Sequence, residues 1–275
     1  MPDLTNWPGA HHDPVVRVAR DCRALGRVLA RRLVDTLTFR LKDEWVSAAH
    51  VVIGGGLVVE EMIDALTQLP ERGAVDWQRV HVWWSDERYL PAGHIGRHET
   101  RARAAGLGRV GIDDSRVHAM PAPVSDRDLR VERVAADYAK LLRLFSPFGR
   151  TGPVFDVVLL DVGAAGEVAA LYPGAPSLEA VEPVVTVLDA PTTPRQRTTL
   201  TLPIFTAAAR VWLLADGADV AAAVGRAIDG ASPHETPAAG ARGVLETIWW
   251  LDEAAASAVP QRFRGVVDPE LSPAG

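Results

Sequence analysis

The strongest constraint on this chain is a set of short apolar runs that do not alternate with polar residues. His50-Val51-Val52-Ile53, Val80–Trp84, Phe155–Leu160, Val184–Leu188, Val211–Leu214 and Thr247–Leu251 are separated by stretches with helical spacing. A run without alternation suits a strand buried on both faces, as in a parallel sheet covered by its crossover helices. The expected fold class is therefore α/β: a mostly parallel, doubly wound sheet with helices on both faces, in a single domain. A chain of 275 residues can bury that core without dividing.

Between the strands, Asp13-Pro14 reads as a helix start, followed by Val15, Val18, Cys22, Leu25, Leu29 and Leu33 at three- and four-residue steps. Further helices are expected over Leu57–Leu69, His98–Leu107 and Leu129–Phe145, the last preceded by a capping-box pattern at Ser125 and Asp128. A short helix to Tyr172, one ending at Ile228 and an alanine-rich one capped by Asp252 complete the pattern. Residues 1–14 are expected to be a flexible N-terminus, 15–259 the domain, and the Pro/Gly-rich 260–275 a loose tail.

Composition narrows the function. The formal charge of −6 argues against general nucleic-acid binding. No run approaches the roughly 18 apolar residues of a membrane span. The polar first residues lack the basic and apolar regions of a signal peptide. A single cysteine, Cys22, excludes an internal disulfide and a multi-cysteine zinc site. The expectation is a cytoplasmic protein with a small-molecule partner and no cofactor. His94 and His98 are four residues apart but lack a third ligand, so no metal is expected.

Ligands of open α/β sheets bind beyond the carboxyl ends of the strands. The informative segments are thus Gly54-Gly55-Gly56, Ser85–Arg88, Asp161–Glu167 and Asp216-Gly217. A glycine turn entering a helix suits an anion, but it equally suits a tight strand-to-helix connection. It lacks the third glycine of a dinucleotide fingerprint and the lysine of a P-loop. Asp86-Glu87-Arg88 reads either as site chemistry or as a solvated turn with an internal ion pair. Arg197 suits a phosphate or carboxylate, or a plain surface position. No Gly-x-Ser-x-Gly elbow is present.

Taken in order, these segments resemble the 6-phosphogluconolactonase family, grouped with the glucosamine-6-phosphate deaminases. The resemblance runs from about Val15 to Ala258 and rests on Val80-His81-Val82-Trp83-Trp84-Ser85-Asp86-Glu87-Arg88-Tyr89-Leu90-Pro91 and on Phe155–Leu160. Leu171-Tyr172-Pro173-Gly174 and Arg197-Thr198-Thr199-Leu200-Thr201-Leu202-Pro203 extend it. It implies hydrolysis of a sugar-phosphate lactone, in which a general base activates water and basic groups hold the phosphate. The family's base is a histidine in a Gly-x-Gly-x-Asp-Gly-His loop; here Glu167 stands at the histidine and Ala165 at the aspartate. Ile53, His98 and Val220 stand where the family carries Ser/Thr, Asn and Lys.

The resemblance assigns Glu167 and Asp86 to catalysis. Gly54, Gly55, Gly56, Arg88, His98 and Arg197 it assigns to substrate and phosphate. Loss of a general base costs about two to four powers of ten in rate, and a glutamate at the start of a helix would stay ionised and weakly basic. Three readings follow: a lactonase of reduced activity, a non-catalytic sugar-phosphate or partner-protein binder using the Trp/Arg-rich C-terminal region, and an enzyme for a less anionic sugar derivative.

Overall fold

A computed structural model describes residues 14–123 and 131–263. Among these residues the strands are β1 (Val15–Ala19), β2 (Ala49–Ile53), β3 (Val80–Trp84), β4 (Asp86–Arg88), β5 (Val117–His118), β6 (Val157–Asp161), β7 (Val184–Val187), β8 (Arg197–Leu200), β9 (Arg210–Ala215) and β10 (Glu246–Asp252). The helices are α1 (Cys22–Leu41), α2 (Leu57–Gln68), α3 (His98–Ala105), α4 (Val131–Leu144), α5 (Leu202–Thr206) and α6 (Ala221–Ile228).

Seven strands make one parallel sheet in the order β1-β10-β9-β6-β2-β3-β5. Right-handed crossovers, the rule for parallel strands, put α1–α3 on one face and α4–α6 on the other. The apolar runs are the centre of this sheet: all of β3 is buried, and Val157 to Leu160 of β6 have no exposed surface. A smaller antiparallel sheet, β4-β8-β7, sits beside it. Val184–Leu188 thus joins the second sheet, and its strand ends at Val187.

The first helix starts later than its spacing suggests. Val15–Ala19 is a strand paired in parallel with β10, and the helix cap is Asp21, whose carboxylate accepts the Ala24 N–H at 2.7 Å. Valines at three-residue spacing fit either period over so short a stretch, and the exposed edge of β10 decides for the strand. From Cys22 on the helical stripe holds, with Leu25, Leu29, Leu33 and Leu37 buried. Gly26 brings α1 against α2: a Cβ there would lie 2.6 Å from Glu61 Cβ.

Other expectations change in detail. The segment up to Tyr172 is not a helix but a turn with isolated bridges between Val162, Val168 and Leu171. Asp252 accepts the Ala255 N–H at 2.7 Å, but it caps a 3₁₀ turn (Ala255–Ala258). Trp249 and Trp250 are buried within β10, so these tryptophans build the core and offer no contact surface. The Ser125/Asp128 pattern, residues 1–13 and the tail from 264 lie outside the described residues.

Two buried polar clusters hold the sheet's far edge. Arg116 donates to His81 Nε2 at 2.7 Å, which leaves the His81 Nδ1–H to donate to His118 Nε2, also at 2.7 Å. The Trp83 indole donates to His50 Nδ1 at 3.1 Å, and the rings stack in sequence: His50 on His81, His81 on His118, His118 on Trp83. Each imidazole is used as an acceptor, which requires the neutral form. Burial, reinforced by the neighbouring rings, accordingly lowers His50 to about 3 and His118 to about 4, and burial with Arg116 lowers His81. Nearby, the Tyr138 hydroxyl accepts from the Trp84 N–H and donates to the His118 carbonyl, pinning α4 to the sheet.

The second cluster is Glu87, 2% exposed. Its carboxylate accepts the backbone N–H groups of Arg88, His98 and Glu99 at 2.8, 2.8 and 3.0 Å, with Arg97 at 3.7 Å. The middle of the Asp-Glu-Arg motif is thus no solvated turn; it caps α3 from a neighbouring strand.

Two stability measurements follow. Folded-state pKa values below the ordinary 6.5 mean that the unfolded chain binds the extra protons as pH falls. The histidine stack therefore stabilises fully above pH 6.5 and progressively less toward about 4 and 3. The melting temperature of His118→Phe should fall less steeply than wild type below that point, contributions common to both proteins cancelling in the difference. Parallel curves would remove His118 from this role. Glu87→Gln turns an amide NH₂ toward backbone donors and should cost about 1–3 kcal/mol in chemical denaturation.

Candidate active site

Crossovers leave β2 toward β3 on one side and leave β6 toward β9 on the other, so the winding reverses between the adjacent strands β2 and β6. Such a switch point opens a crevice at the carboxyl ends of the strands. Gly54–Gly56 follow β2 there, and Asp161 ends β6. Trp84 of β3, two strands from β6, leads through Ser85 into β4, which carries Asp86, Glu87 and Arg88.

The glycine turn is filled by a side chain of the protein itself. Asp161 Oδ2 accepts the Gly56 N–H at 3.0 Å. A Cβ on Gly54 would stand 2.3 Å from Asp161 Oδ2, and one on Gly56 2.0 Å from Oδ1. Gly55 makes room for His98, whose ring atoms lie 2.1–2.3 Å from its Cβ position. Burial raises Asp161 to about 7, the Gly56 N–H opposing it and the Asp86 and Asp216 carboxylates adding to it. Asp216 is itself raised by burial and by Asp252.

Asp86 reaches the same crevice. Its Oδ1 accepts the Ser85 hydroxyl at 3.1 Å and lies 3.6 Å from His98 Nδ1, while Asp86 Oδ2 and His98 Nδ1 are buried without a hydrogen-bond partner. The antiparallel register pairs Asp86 with Thr199 and Arg88 with Arg197. Arg88 donates to the Gly96 carbonyl at 2.8 Å; Arg197 donates to Thr192 Oγ1 at 2.6 Å and lies over the Tyr172 ring, 5.9 Å from its centre. The Nε of each arginine is buried and unpartnered. Burial, then Arg197, lowers Arg88. Burial raises the Tyr172 phenol; Arg197 and Arg88 pull it down while Asp86 and Glu167 push it up, so all four charges converge on it.

Gly54, Gly55, Gly56, Asp86, Arg88, His98, Glu167 and Arg197 therefore gather at one end of the sheet. Glu167 is placed differently from expectation within its loop. No helix begins there: Gly166 and Ala169 both have positive φ, +87° and +52°. Its carboxylate instead accepts the Ala165 N–H at 3.0 Å and lies over Gly163. His94 precedes α3, so it shares no helix face with His98, and its Nδ1 accepts the Gly96 N–H at 2.9 Å. Ile53 closes β2 and Val220 precedes α6, both buried. The sequence marks Asp161 only as the first residue of the segment Asp161–Glu167, with no role of its own. The three consecutive glycines at the neighbouring strand end were the available signal that something bulky lies against them.

The family model described as glucosamine-6-phosphate isomerases/6-phosphogluconolactonase matches residues 20–250. A relative from Streptomyces coelicolor named 6-phosphogluconolactonase is 42% identical over 253 residues, covering 90% of this chain and 95% of that one. One of the same name from Mycobacterium leprae is 36% identical, covering 89% and 98%. The solved 6-phosphogluconolactonase of Trypanosoma brucei superimposes with a TM-score of 0.74 at 23% identity over 91% of this chain and 100% of its own. A monomeric glucosamine-6-phosphate deaminase does so at 0.71 and 19%, over 89% and 99%. At those identities the structural likeness is one of fold, while the family model and the sequence relatives decide membership: the chain belongs to the glucosamine-6-phosphate isomerase/6-phosphogluconolactonase family.

Proposed function

We propose that the protein is a cytoplasmic lactone hydrolase that opens 6-phosphogluconolactone to the free acid. The observation that carries this reading is the pairing of Arg88 with Arg197 beside the buried Asp86 carboxylate. Two guanidinium groups with unpartnered Nε donors suit a phosphate, which accepts several charge-assisted hydrogen bonds at once. The carboxylates at the switch point suit the activation of water, and Tyr172 lies where the two regions meet. The names of the sequence relatives support the same substrate.

The rate is set lower than in a family member with the histidine. Glu167 occupies that position, and its carboxylate is engaged by the Ala165 amide. The same observation favours a second reading, a sugar-phosphate binder without turnover.

Hydrolysis of freshly generated lactone, corrected for spontaneous opening, separates the two. The lactonase reading expects turnover above background, and binding of 6-phosphogluconate without turnover supports the binder. Arg88→Ala should raise KM about 10- to 100-fold, the equivalent of one or two charge-assisted hydrogen bonds, and added salt should weaken binding in wild type. An unchanged KM and unchanged product binding would take Arg88 out of the phosphate site. The double variant Ala165→Asp/Glu167→His should raise the rate by rebuilding the family's pair; an unchanged rate would mean that the loop does not bear on the reaction.

A further inference from the structure

The lactonase reading leaves open which group takes the proton from the attacking water. We infer that Asp161, and not Glu167, is the proton acceptor. The inference rests on that reading and on the following geometry.

Asp161 sits on a rigid element, the last residue of a central strand, at the point where the winding reverses. One carboxylate oxygen is fixed by the Gly56 N–H, which orients the group. Three groups face it: the Gly56 amide at the start of α2, Asp86 from β4 and Asp216 beyond β9; His98 of α3 lies against Gly55, between the two glycines that Asp161 covers. The glycine turn cannot hold an external phosphate while this carboxylate fills it. The crevice is consequently divided, with an acidic floor at the switch point and a basic wall of Arg88 and Arg197 on the second sheet. An anionic sugar lactone enters with its phosphate toward the arginines, and that polarity turns the other end of the molecule toward the floor.

Glu167 lacks these properties. Its carboxylate is turned onto its own loop, whose Ala164 and Ala165 are exposed. Asp161, by contrast, is raised to about 7 by burial, a value suited to a base working near neutrality.

In the step itself, Asp161 removes a proton from water as the water oxygen bonds to the lactone carbonyl carbon. The tetrahedral alkoxide then collapses, the bond from that carbon to the ring oxygen breaks, and the proton on Asp161 passes to the leaving ring oxygen. One water is consumed, and the base is regenerated.

The test is kcat as a function of pH for wild type, Asp161→Asn and Glu167→Gln on freshly generated lactone, with spontaneous opening subtracted. Asparagine keeps an oxygen for the Gly56 N–H, so α2 retains its partner. Wild-type kcat should rise with pH through about 7. Asp161→Asn should lower kcat by about 10²–10⁴ with little change in KM and should abolish that rise. Glu167→Gln should retain the rise with pH, whatever its effect on the size of kcat. If Asp161 merely capped α2, Asp161→Asn would keep both the rate and the pH limb, because the amide oxygen supplies the same acceptor. A wild-type profile flat through this range overturns the inference without any variant. So does an Asp161→Asn enzyme that keeps rate and limb, or a loss of both in Glu167→Gln instead. Wild type indistinguishable from spontaneous opening would sink the lactonase reading itself, whereas an active wild type unaffected at Asp161 sinks only this assignment.

Discussion

The reversal of winding between β2 and β6 is the constraint on which the rest of this molecule depends. Adjacent parallel strands whose crossovers leave in opposite directions cannot have both connections packed over the gap between them, so a crevice stays open there. The hydrogen-bonded register of Val51 and Val52 with Val157 and Val158 then brings the end of one strand against the turn after the other. The contact between Asp161 and Gly54–Gly56 is a product of that register.

The second sheet solves a different problem, the delivery of charge to a crevice walled by apolar strands. In β4, alternation sends Glu87 inward to the start of α3 and leaves Asp86 and Arg88 facing the site. One triplet thereby performs two tasks. Glu87 satisfies three backbone donors and fixes where α3 begins, which in turn sets His98 over Gly55. Pairing with β8 then puts Arg197 beside Arg88. Arg88 is lowered by its burial first and by the neighbouring Arg197 second, so the pair carries both a desolvation and a repulsion cost. A ligand anion is the natural relief of such strain.

Much of this was readable in the sequence, for identifiable reasons. β2, β3, β6, β9 and β10 announce themselves because burial on both faces makes them nearly continuous apolar runs, with charged residues only at their ends and histidines inside β2 and β3. The site loops follow from those strands, since ligands collect at strand ends. What escaped depends on distant partners. The period of Val15–Ala19 is ambiguous locally because its partner strand lies more than two hundred residues on, and only that pairing settles it. The role of Glu87 rests on amides at positions 98 and 99, and the seat of Asp161 on an amide 105 residues away. A helix start at Glu167 is what a glycine-rich segment before an apolar run suggests. The positive φ of Gly166 and Ala169, which prevents it, leaves no mark in composition.

The glycine turn and Asp161 are best understood as two halves of one feature. Read alone, three glycines entering a helix describe an anion cradle. With the carboxylate in place, the glycines are required because any Cβ at 54 or 56 would overlap its oxygens. An internal anion in that cradle moves the recognition of an external one to the arginines of the second sheet. It also leaves a carboxylate in an environment that disfavours its charge, partly offset by a helix N-terminus, and that is a stability cost. Local rules are broken in this way mainly where function repays them. An aspartate held against its preferred ionisation at the mouth of a parallel sheet is therefore hard to explain as scaffold alone, because asparagine would cap α2 through the same oxygen without the burial of a charge.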